Sequence, residues 1–515
     1  MQNLNVKILP DEVWWGCSSA LAMHQPYDKD SDVTVDLCRC SNQSAPLLLS
    51  SDGRYIWGGS PFTVTFDKGS FTVVGEDIEL VSAGSCLRDA YMAAMRAHFP
   101  FEQKDLPETF FTTAQYNTWM EFNYHPTQAS VLEYAHAIID NGYKPGILIL
   151  DEGWSSHYGS WNFDLVKFPN PKAMIDELHS LGFTVMLWIV PYVTLDDRDY
   201  LELSQPWVSR LSGKEYSTKL ARRPNGDVAV VCWWNGLSGL YNMCNEADRE
   251  WLDSKLQHLI DEYGVDGFKF DGGNICSLNP KEWVTEPPAE SAEALNKAWN
   301  DFGTRYAYHE YKDTYDRGGR ATIQRIRDRN HSWGNNGLQT LVPTALLQGL
   351  LGYPYVCPDM VGGGLIEDEQ MGTEYTVELY CRYAQASTFL PSFQLSKFFW
   401  KNSPVLTDAV HTMVQRHYAL APYIQSLLEN TAKTGEPIVR SIAYEFNERP
   451  DVIDEFMLGD KYLVAPVLIE GARSRTVYLP SGKWKYIPTG EILEGAREME
   501  FAADLTVLPY FEKIV

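Results

Sequence analysis

From about residue 111 to about residue 430 the sequence alternates short β-rich runs with longer helical ones, and the rhythm repeats eight times. The β-rich runs are YNTWMEF (116–122), GILILDEGW (146–154), FTVMLWIVPYV (183–193), VDGFKFD (265–271), YHEYKD (308–313), ATIQRIRD (321–328), YPYVCPDM (353–360) and LPSFQLS (390–396). Between and after them lie stretches with helical spacing, such as SVLEYAHAIIDNG (130–142), KAMIDELHSLG (172–182) and AEALNKAWNDFGTRYA (292–307), and a helix from about 407 to 430 closes the series. Strands that alternate with crossover-length helices must lie parallel, and eight such units close into a (β/α)8 barrel, an α/β fold. The segment at about 192–233 is too long for a simple βα loop and reads as an insertion in that barrel.

The flanks read differently. Residues 1–110 carry short alternating runs with turn signals, as in LLLSSDGRYIWGG (47–59) and PFTVTFDKGSFTVVGEDIEL (61–80), and predict an N-terminal β-sandwich. Residues 431–515 are β-like again, with KYLVAPVL, SRTVYLPSGKWKYI and LTVLPYFEKIV, and predict a C-terminal β-sandwich in which PSGKW reads as a hairpin turn. The expected domains are therefore 1–110, 111–430 and 431–515.

Composition narrows the partners. A formal charge of −25 argues against nucleic acid or an anionic membrane, which both need a basic patch, so neither is expected as a partner. The chain has no apolar run long enough to span a bilayer, and MQNLNVKILPDEVWW lacks the charged and apolar regions of a signal peptide. Nine scattered cysteines without a C-x-x-C pair read as reduced structural thiols, and the expectation is a cytoplasmic protein. No zinc-ligand constellation or Gly-rich phosphate loop is present, and the isolated His309 and His331 read as structural. The 16 Trp and 29 Tyr suit sugar recognition, because ring faces cover the apolar faces of sugars. A homo-oligomer is left open.

In barrel enzymes the reactive groups stand at the C-terminal ends of the strands. Here those positions hold Asp151 and Glu152, Asp271, Asp328 and Asp359, with Trp154, Trp234 and Trp333 close by in sequence. One acid at a strand end is commonly a turn or cap residue; four strands of one barrel ending in acid point to chemistry. In VDGFKFDGGN the period of two puts Phe268 and Phe270 on one face and Lys269 and Asp271 on the other. With Asp271 facing inward, Lys269 is expected beside it, holding the carboxylate ionised. Asp328, followed by His331 and Trp333, is expected to be the second carboxyl, kept protonated by a nearby apolar ring. An ionised carboxylate and a protonated one are the working pair of glycoside hydrolysis.

Several motifs resemble glycoside hydrolase family 31. FDLVKFPNPKAMIDELHSLGFTVMLWIVPYV (163–193), DRNHSWGNNGLQTLVPTALLQGLLGYPYVCPDMVGGG (328–364), GDKYLVAPVL (459–468) and VYLPSGKWKYIPTG (477–490) carry the likeness through the barrel and beyond it. Within the family, WWNG (233–236), FKFD (268–271), D-R-x-x-x-W (328–333), PDMVGG (358–363) and Q-x-S (394–396) resemble the branch with the myogenesis-regulating glycosidase and bacterial α-galactosidases. A more distant likeness to families 27 and 36 rests on Asn117-Thr118-Trp119, Asp151-Glu152-Gly153-Trp154 and Lys269-Phe270-Asp271. The resemblance implies a retaining exo-α-glycosidase, foremost an α-galactosidase, with Asp271 as nucleophile and Asp328 as acid/base. It implies a substrate-binding set of Trp119, Asp151, Glu152, Trp154, Trp188, Trp234, Lys269, Lys312, Trp333, Asp359 and Gln394. A small-molecule or oligosaccharide substrate and no metal or organic cofactor are implied as well. Glu152 stands where the galactosidase relatives have Asp, Lys312 where much of the family has a sugar-binding Arg, and Gln394 and Ser396 replace an Arg–His contact of the α-glucosidases. The same chemistry on an α-glucoside, α-xyloside or α-N-acetylgalactosaminide remains open, as does transglycosylation; a sugar-binding protein without activity is the remaining alternative.

Overall fold

The structure is a computed structural model that describes residues 1–204, 220–223, 227–277, 291–334, 336–367 and 376–514. The chain divides into two compact units, Tyr116–Tyr315 and Met1–Gln115 with Asp316–Val515. Eight strands form a (β/α)8 barrel sheet: β1 (Gln115–Asn117), β2 (Ile147–Leu150), β3 (Thr184–Ile189), β4 (Gly267–Phe270), β5 (Tyr308–Tyr311), β6 (Ile323–Arg325), β7 (Val356–Cys357) and β8 (Gln394–Leu395).

Within Tyr116–Tyr315 strands β2 to β5 run parallel in sequence order, with Leu150 opposite Leu187, Trp188 opposite Lys269 and Lys269 opposite Glu310. Strand β2 is apolar and buried throughout, as a strand covered on both faces must be. The helices start where their caps dictate. Thr127 and Ser130 form a reciprocal capping box at the head of α1 (Gln128–Asp140), Asn170 caps α2 (Pro171–Ser180) with Pro171 in its first turn, and Ser291 caps the later helix Ala292–Gly303. Phe270 packs on Trp299 and Phe302 of that last helix, and Phe268 on Tyr306, so the phenylalanine face of β4 is the outer one, as its alternation predicts. The first expected strand is shorter than its sequence suggests. Trp119–Phe122 is helical, because the Asn117 side chain accepts the Trp119 N–H at 2.7 Å and turns the chain out of the sheet. The expected insertion supplies Tyr192–Thr194 and Val230–Trp233, which form a three-stranded antiparallel sheet with Gly236–Leu240 just beyond it, and 205–219 and 224–226 lie outside the described residues.

In the other unit β6 pairs in parallel with β7, and Gln115 N donates to Phe393 O just before β8. The N-terminal residues form two antiparallel sheets, one of Gln2–Lys7, Ser70–Gly75, Thr63–Asp67 and Asp32–Asp36, the other containing Trp14–Ser18, Gln43–Ser50, Arg54–Trp57 and Glu79–Ser82. Trp14, Leu48, Ile56, Phe66 and Phe71 fill the core of this sandwich. A helix, Leu87–His98, lies inside the region read as all-β, and it buries Leu87, Tyr91 and Met95 with Leu47, Leu49 and Tyr55. At the C-terminus a six-stranded sheet is accompanied by the pair Ser474–Leu479 and Arg497–Ala502. The PSGKW turn is not a hairpin. It carries the chain from that pair into Lys483–Tyr486, which bonds to Glu491–Glu494 and Tyr510–Ile514, and the Trp484 indole N–H fastens the corner to Pro480 O at 2.8 Å. None of the nine cysteines forms a disulfide, and no described helix is long and apolar enough to cross a membrane.

Candidate active site

In the unit Tyr116–Tyr315, Asp151 after β2 and Asp271 after β4 are each met by a cation of their own. Asp151 is buried and accepts Lys269 Nζ at 2.6 Å and Asn117 Nδ2 at 2.7 Å on Oδ2, with the Glu152 N–H at 2.9 Å on Oδ1. The cation set against Asp271 is Lys312, with Nζ 3.6 Å from Oδ2. This corrects the expected pairing of Lys269 with Asp271: Lys269 lies opposite Trp188 in the sheet register, and its long stem carries the charge across to β2. Both oxygens of Asp271 are held, Oδ2 by Trp188 Nε1 at 3.0 Å and Oδ1 by the Gly272 N–H at 2.8 Å. The turn that follows needs glycine. Gly272 has φ +66°, and a Cβ there would lie 2.8 Å from the Tyr192 ring.

Glu152 is buried, and its carboxylate accepts Trp234 Nε1 at 3.0 Å and the Asn235 side-chain amide. Trp234 and Asn235 are the two turn residues joining Val230–Trp233 to Gly236–Leu240, so Glu152 holds the tip of the inserted hairpin. Burial pushes the Glu152 carboxyl up to about 8, against the hydrogen bonds from Trp234 and Tyr158 and with the help of the Asp151 and Asp271 charges. Trp234 is 49% exposed and has Lys312 Nζ 5.9 Å from its ring centroid, a platform with an open face beside a cation.

In the other unit one guanidinium organises the acids. Arg325, the fully buried last residue of β6, donates from Nη1 to Asp328 Oδ1 at 2.9 Å, from Nη2 to Asp359 Oδ1 at 2.6 Å and from Nε to Gln394 Oε1 at 3.2 Å. Asp359 also accepts the backbone N–H groups of Arg329, Met360 and Gly364 at 2.7–2.9 Å. It therefore ties the loop after β7 together. The side chain of Asp328 is 23% exposed, against 0% for Asp359. This guanidinium is a partner of Asp328 that was not expected from sequence. Trp333 is half-buried, and His331 is structural: Nδ1 donates to Gly362 O at 2.6 Å while Nε2 accepts the Thr376 N–H at 3.3 Å. His309 likewise bonds Tyr306 O through Nδ1 at 2.8 Å.

Asp151, Glu152, Trp188, Trp234, Lys269, Asp271 and Lys312 thus form one cluster, and Asp328, Asp359 and Gln394 another. Trp154 and Gln394 of the predicted set are among the fully buried side chains. Trp154 is fully buried with its indole N–H on Trp188 O at 2.8 Å, and Gln394 is buried with its amide on Gln115 Oε1 at 3.1 Å. Trp119 is half-buried, edge-on to Tyr124. Arg325, Asn235 and Tyr192 were not singled out in the sequence. For Arg325 a signal existed, since a cation on a barrel strand three residues before an acid needs anions to be buried. A groove of about 520 Å3, lined by Tyr124, His157, Tyr158, Asp196 and Asn235, adjoins the partners of Glu152. A larger one, about 670 Å3, lies by Phe111, Tyr355 and Glu429 at the starting end of β7, the end that carries no chemistry in barrel enzymes. Among the described residues no cluster of three or more His, Cys, Asp or Glu is placed to hold a metal ion.

Residues 106–427 match the model of the glycosyl hydrolases family 31 TIM-barrel domain, and residues 435–513 that of the glycosyl hydrolase family 31 C-terminal domain. The myogenesis-regulating glycosidase of Mus musculus is 29% identical over 444 residues, which cover 84% of this chain and 60% of that protein. The α-glucosidase of Saccharolobus solfataricus is 25% identical over 435 residues, covering 75% of this chain and 60% of that protein. The chain spans about three fifths of the length of each of these two relatives. Among solved structures, the Flavobacterium johnsoniae family 31 dextranase complexed with glucose superposes with a TM-score of 0.82 at 18% identity, over 99% of this chain and 66% of that one, a likeness of fold.

Proposed function

Because the chain belongs to glycosyl hydrolase family 31, we propose that it is a retaining, exo-acting α-glycosidase with Asp271 as nucleophile and Asp328 as acid/base. Asp271 attacks the anomeric carbon while Asp328 gives its proton to the departing oxygen; Asp328 then takes a proton from the water that releases the sugar from Asp271. The observation that carries the reading is the hold on Asp271, a buried strand-end carboxylate with a donor on each oxygen and a lysine alongside. Donors on both oxygens orient such a carboxylate and favour its charged form, as a nucleophile needs. Arg325 sets Asp328 at the end of its own strand with part of its carboxyl reachable.

Terminal α-galactosides are the proposed substrates. The axial 4-OH of galactose needs a polar partner above the ring, and Asp151 with Glu152 supplies acids on the strand next but one to the nucleophile's. Lys269, Lys312, Trp234 and Trp333 complete the proposed lining, and the groove beside Tyr158 and Asn235 suits a further sugar unit of an oligosaccharide. The domain limits proposed are 1–110, 111–430 and 431–515, in line with the two family matches. Nine cysteines without a disulfide support a reducing, cytoplasmic setting. A second reading, an α-glucoside substrate, is favoured by the α-glucosidase relative.

A panel of 4-nitrophenyl α-glycosides separates the two. Release from the galactoside at least about tenfold faster than from the glucoside, xyloside and N-acetylgalactosaminide is expected; the reverse order removes the galactose assignment. NMR of the first product should show the α-anomer, and a sugar-bound crystal structure a carboxyl separation of about 5–5.5 Å, where ~7–9 Å would mean inversion.

A further inference from the structure

The dipeptide that follows β5 divides its work. Lys312 reaches Asp271, whereas Asp313, 3% exposed, turns to the chain that carries Asp271. Asp313 Oδ2 accepts Asn274 Nδ2 at 2.9 Å, and Oδ1 accepts Asn296 Nδ2 at 3.1 Å. The same Asn296 amide donates to Gly273 O at 2.9 Å, and the Gly273 N–H goes to the Tyr192 hydroxyl at 2.8 Å. Asn300 donates to Asn296 Oδ1 at 3.0 Å and Thr314 Oγ1 to Asn300 Oδ1 at 2.6 Å, so the network continues into the helix Ala292–Gly303.

This is an unusual use of buried space. Asn296 and Asn300 are 0% and 3% exposed on a helix whose other buried positions include Leu295, Trp299 and Phe302. Apolar side chains there would bury without the desolvation cost that amides and a carboxylate carry. What a connected polar network contributes instead is a single conformation. The nucleophile's turn lacks that property by itself, because Gly272 and Gly273 stand in succession at φ +66° and +75° and glycine is the residue least constrained by its own backbone.

We propose that Asp313, Asn296 and Asn274 are positioning residues for the nucleophile: they lock the Gly272–Gly273–Asn274 turn and thereby aim the Asp271 carboxylate at the anomeric carbon. The proposal rests on the assignment of Asp271 as nucleophile. None of the three need touch sugar. Their effect is on the rate of attack, because displacement of a reacting atom by about 1 Å can cost about 100-fold.

The test is covalent trapping by 5-fluoro-α-D-galactosyl and 5-fluoro-α-D-glucosyl fluoride, run in parallel on the full chain. In it a carboxylate oxygen bonds to the anomeric carbon as fluoride leaves with the bonding electrons. The labelled peptide and the rate constant per active site are read by mass spectrometry. In the unaltered protein Asp271 is labelled; an ester on another carboxylate would bring down the nucleophile assignment and the positioning role with it. In Asp313→Asn and Asn296→Leu the rate constant is expected to fall about 10- to 100-fold, with full final labelling and a probe dissociation constant within about threefold. A purely structural role would lower the melting temperature and the labelled fraction while the rate constant of the remaining sites stayed the same, and that result overturns the inference. Asn274→Ala, which changes no helix, supplies the same reading if the other two fold poorly.

Discussion

The acids after β2 and β4 are met by two lysines and two indoles, whereas those after β6 and β7 share one guanidinium. Point charges on separate stems let each acid be set on its own: Lys269 on Asp151, Lys312 near Asp271. The planar fork of Arg325 does the opposite and makes Asp328 and Asp359 members of one unit. Exposure follows the same division. The side chain of Asp271 is 7% exposed and that of Asp328 23%. A nucleophile has to be fixed and ionised, while a group that passes a proton first to a leaving oxygen and then from water has to be reached by both. The two settings match the two proposed tasks.

The sharpest way to break this division is to remove each acid in turn. Asp271→Asn should lower kcat/KM by on the order of 10⁴-fold whatever the leaving group, since the amide that replaces the carboxylate is a far weaker nucleophile toward the anomeric carbon. Asp328→Asn should cost about 10²–10⁴-fold on alkyl glycosides and far less on 4-nitrophenyl glycosides, which leave without protonation. A loss independent of leaving group would deny Asp328 its role. The next effect is on stability. Arg325→Met leaves the buried Asp359 charge without its cation and should cost about 3–5 kcal/mol by denaturant unfolding. Lys312→Met removes a partly exposed cation and should cost under about 1 kcal/mol while lowering kcat. Equal losses of stability would erase the distinction between shared and separate cations.

What the sequence made legible was whatever depends on periodicity. The alternation in FKFD put Phe268 and Phe270 on the helical side, and the acids after β2, β4, β6 and β7 follow their strands as counted. Register was not legible, and register decides partners: Trp188 lies opposite Lys269, so the lysine crosses to Asp151. Nearness in sequence did not give the partner of Trp154, which sits four residues past its strand and donates its indole N–H to Trp188 O. Glu152 was read as a grip on sugar, and its protein partners were not legible: Trp234 and Asn235 come from a hairpin some 80 positions away, as inserted segments do without local signal. At PSGKW the turn was readable but not which sheet the next strand would join. The helix Leu87–His98 was readable after all, since Leu87, Ala90, Tyr91, Ala94 and Met95 are spaced by three and four and are the residues it buries.

The smallest effect concerns the protonation of Glu152. Its carboxyl is raised to about 8 from 4.5, chiefly by burial, so between those values the folded chain binds a proton that the unfolded chain has released. Folding stability from this group is therefore complete below about pH 4.5 and declines as pH rises toward 8, by at most about 1.4 kcal/mol per unit. Glu152→Gln is uncharged at every pH and removes that decline. Near pH 5 it should be the less stable protein by about 1 kcal/mol, because one amide oxygen replaces two acceptors for Trp234 and Asn235. Near pH 8.5 it should be the more stable one, and the unfolding curves of the two proteins should cross in between. If Glu152 were ionised from pH 5 upward, the variant would be the weaker protein throughout. A crossing would mean that only the neutral carboxyl can hold the Trp234–Asn235 tip without adding a third negative charge beside Asp151 and Asp271.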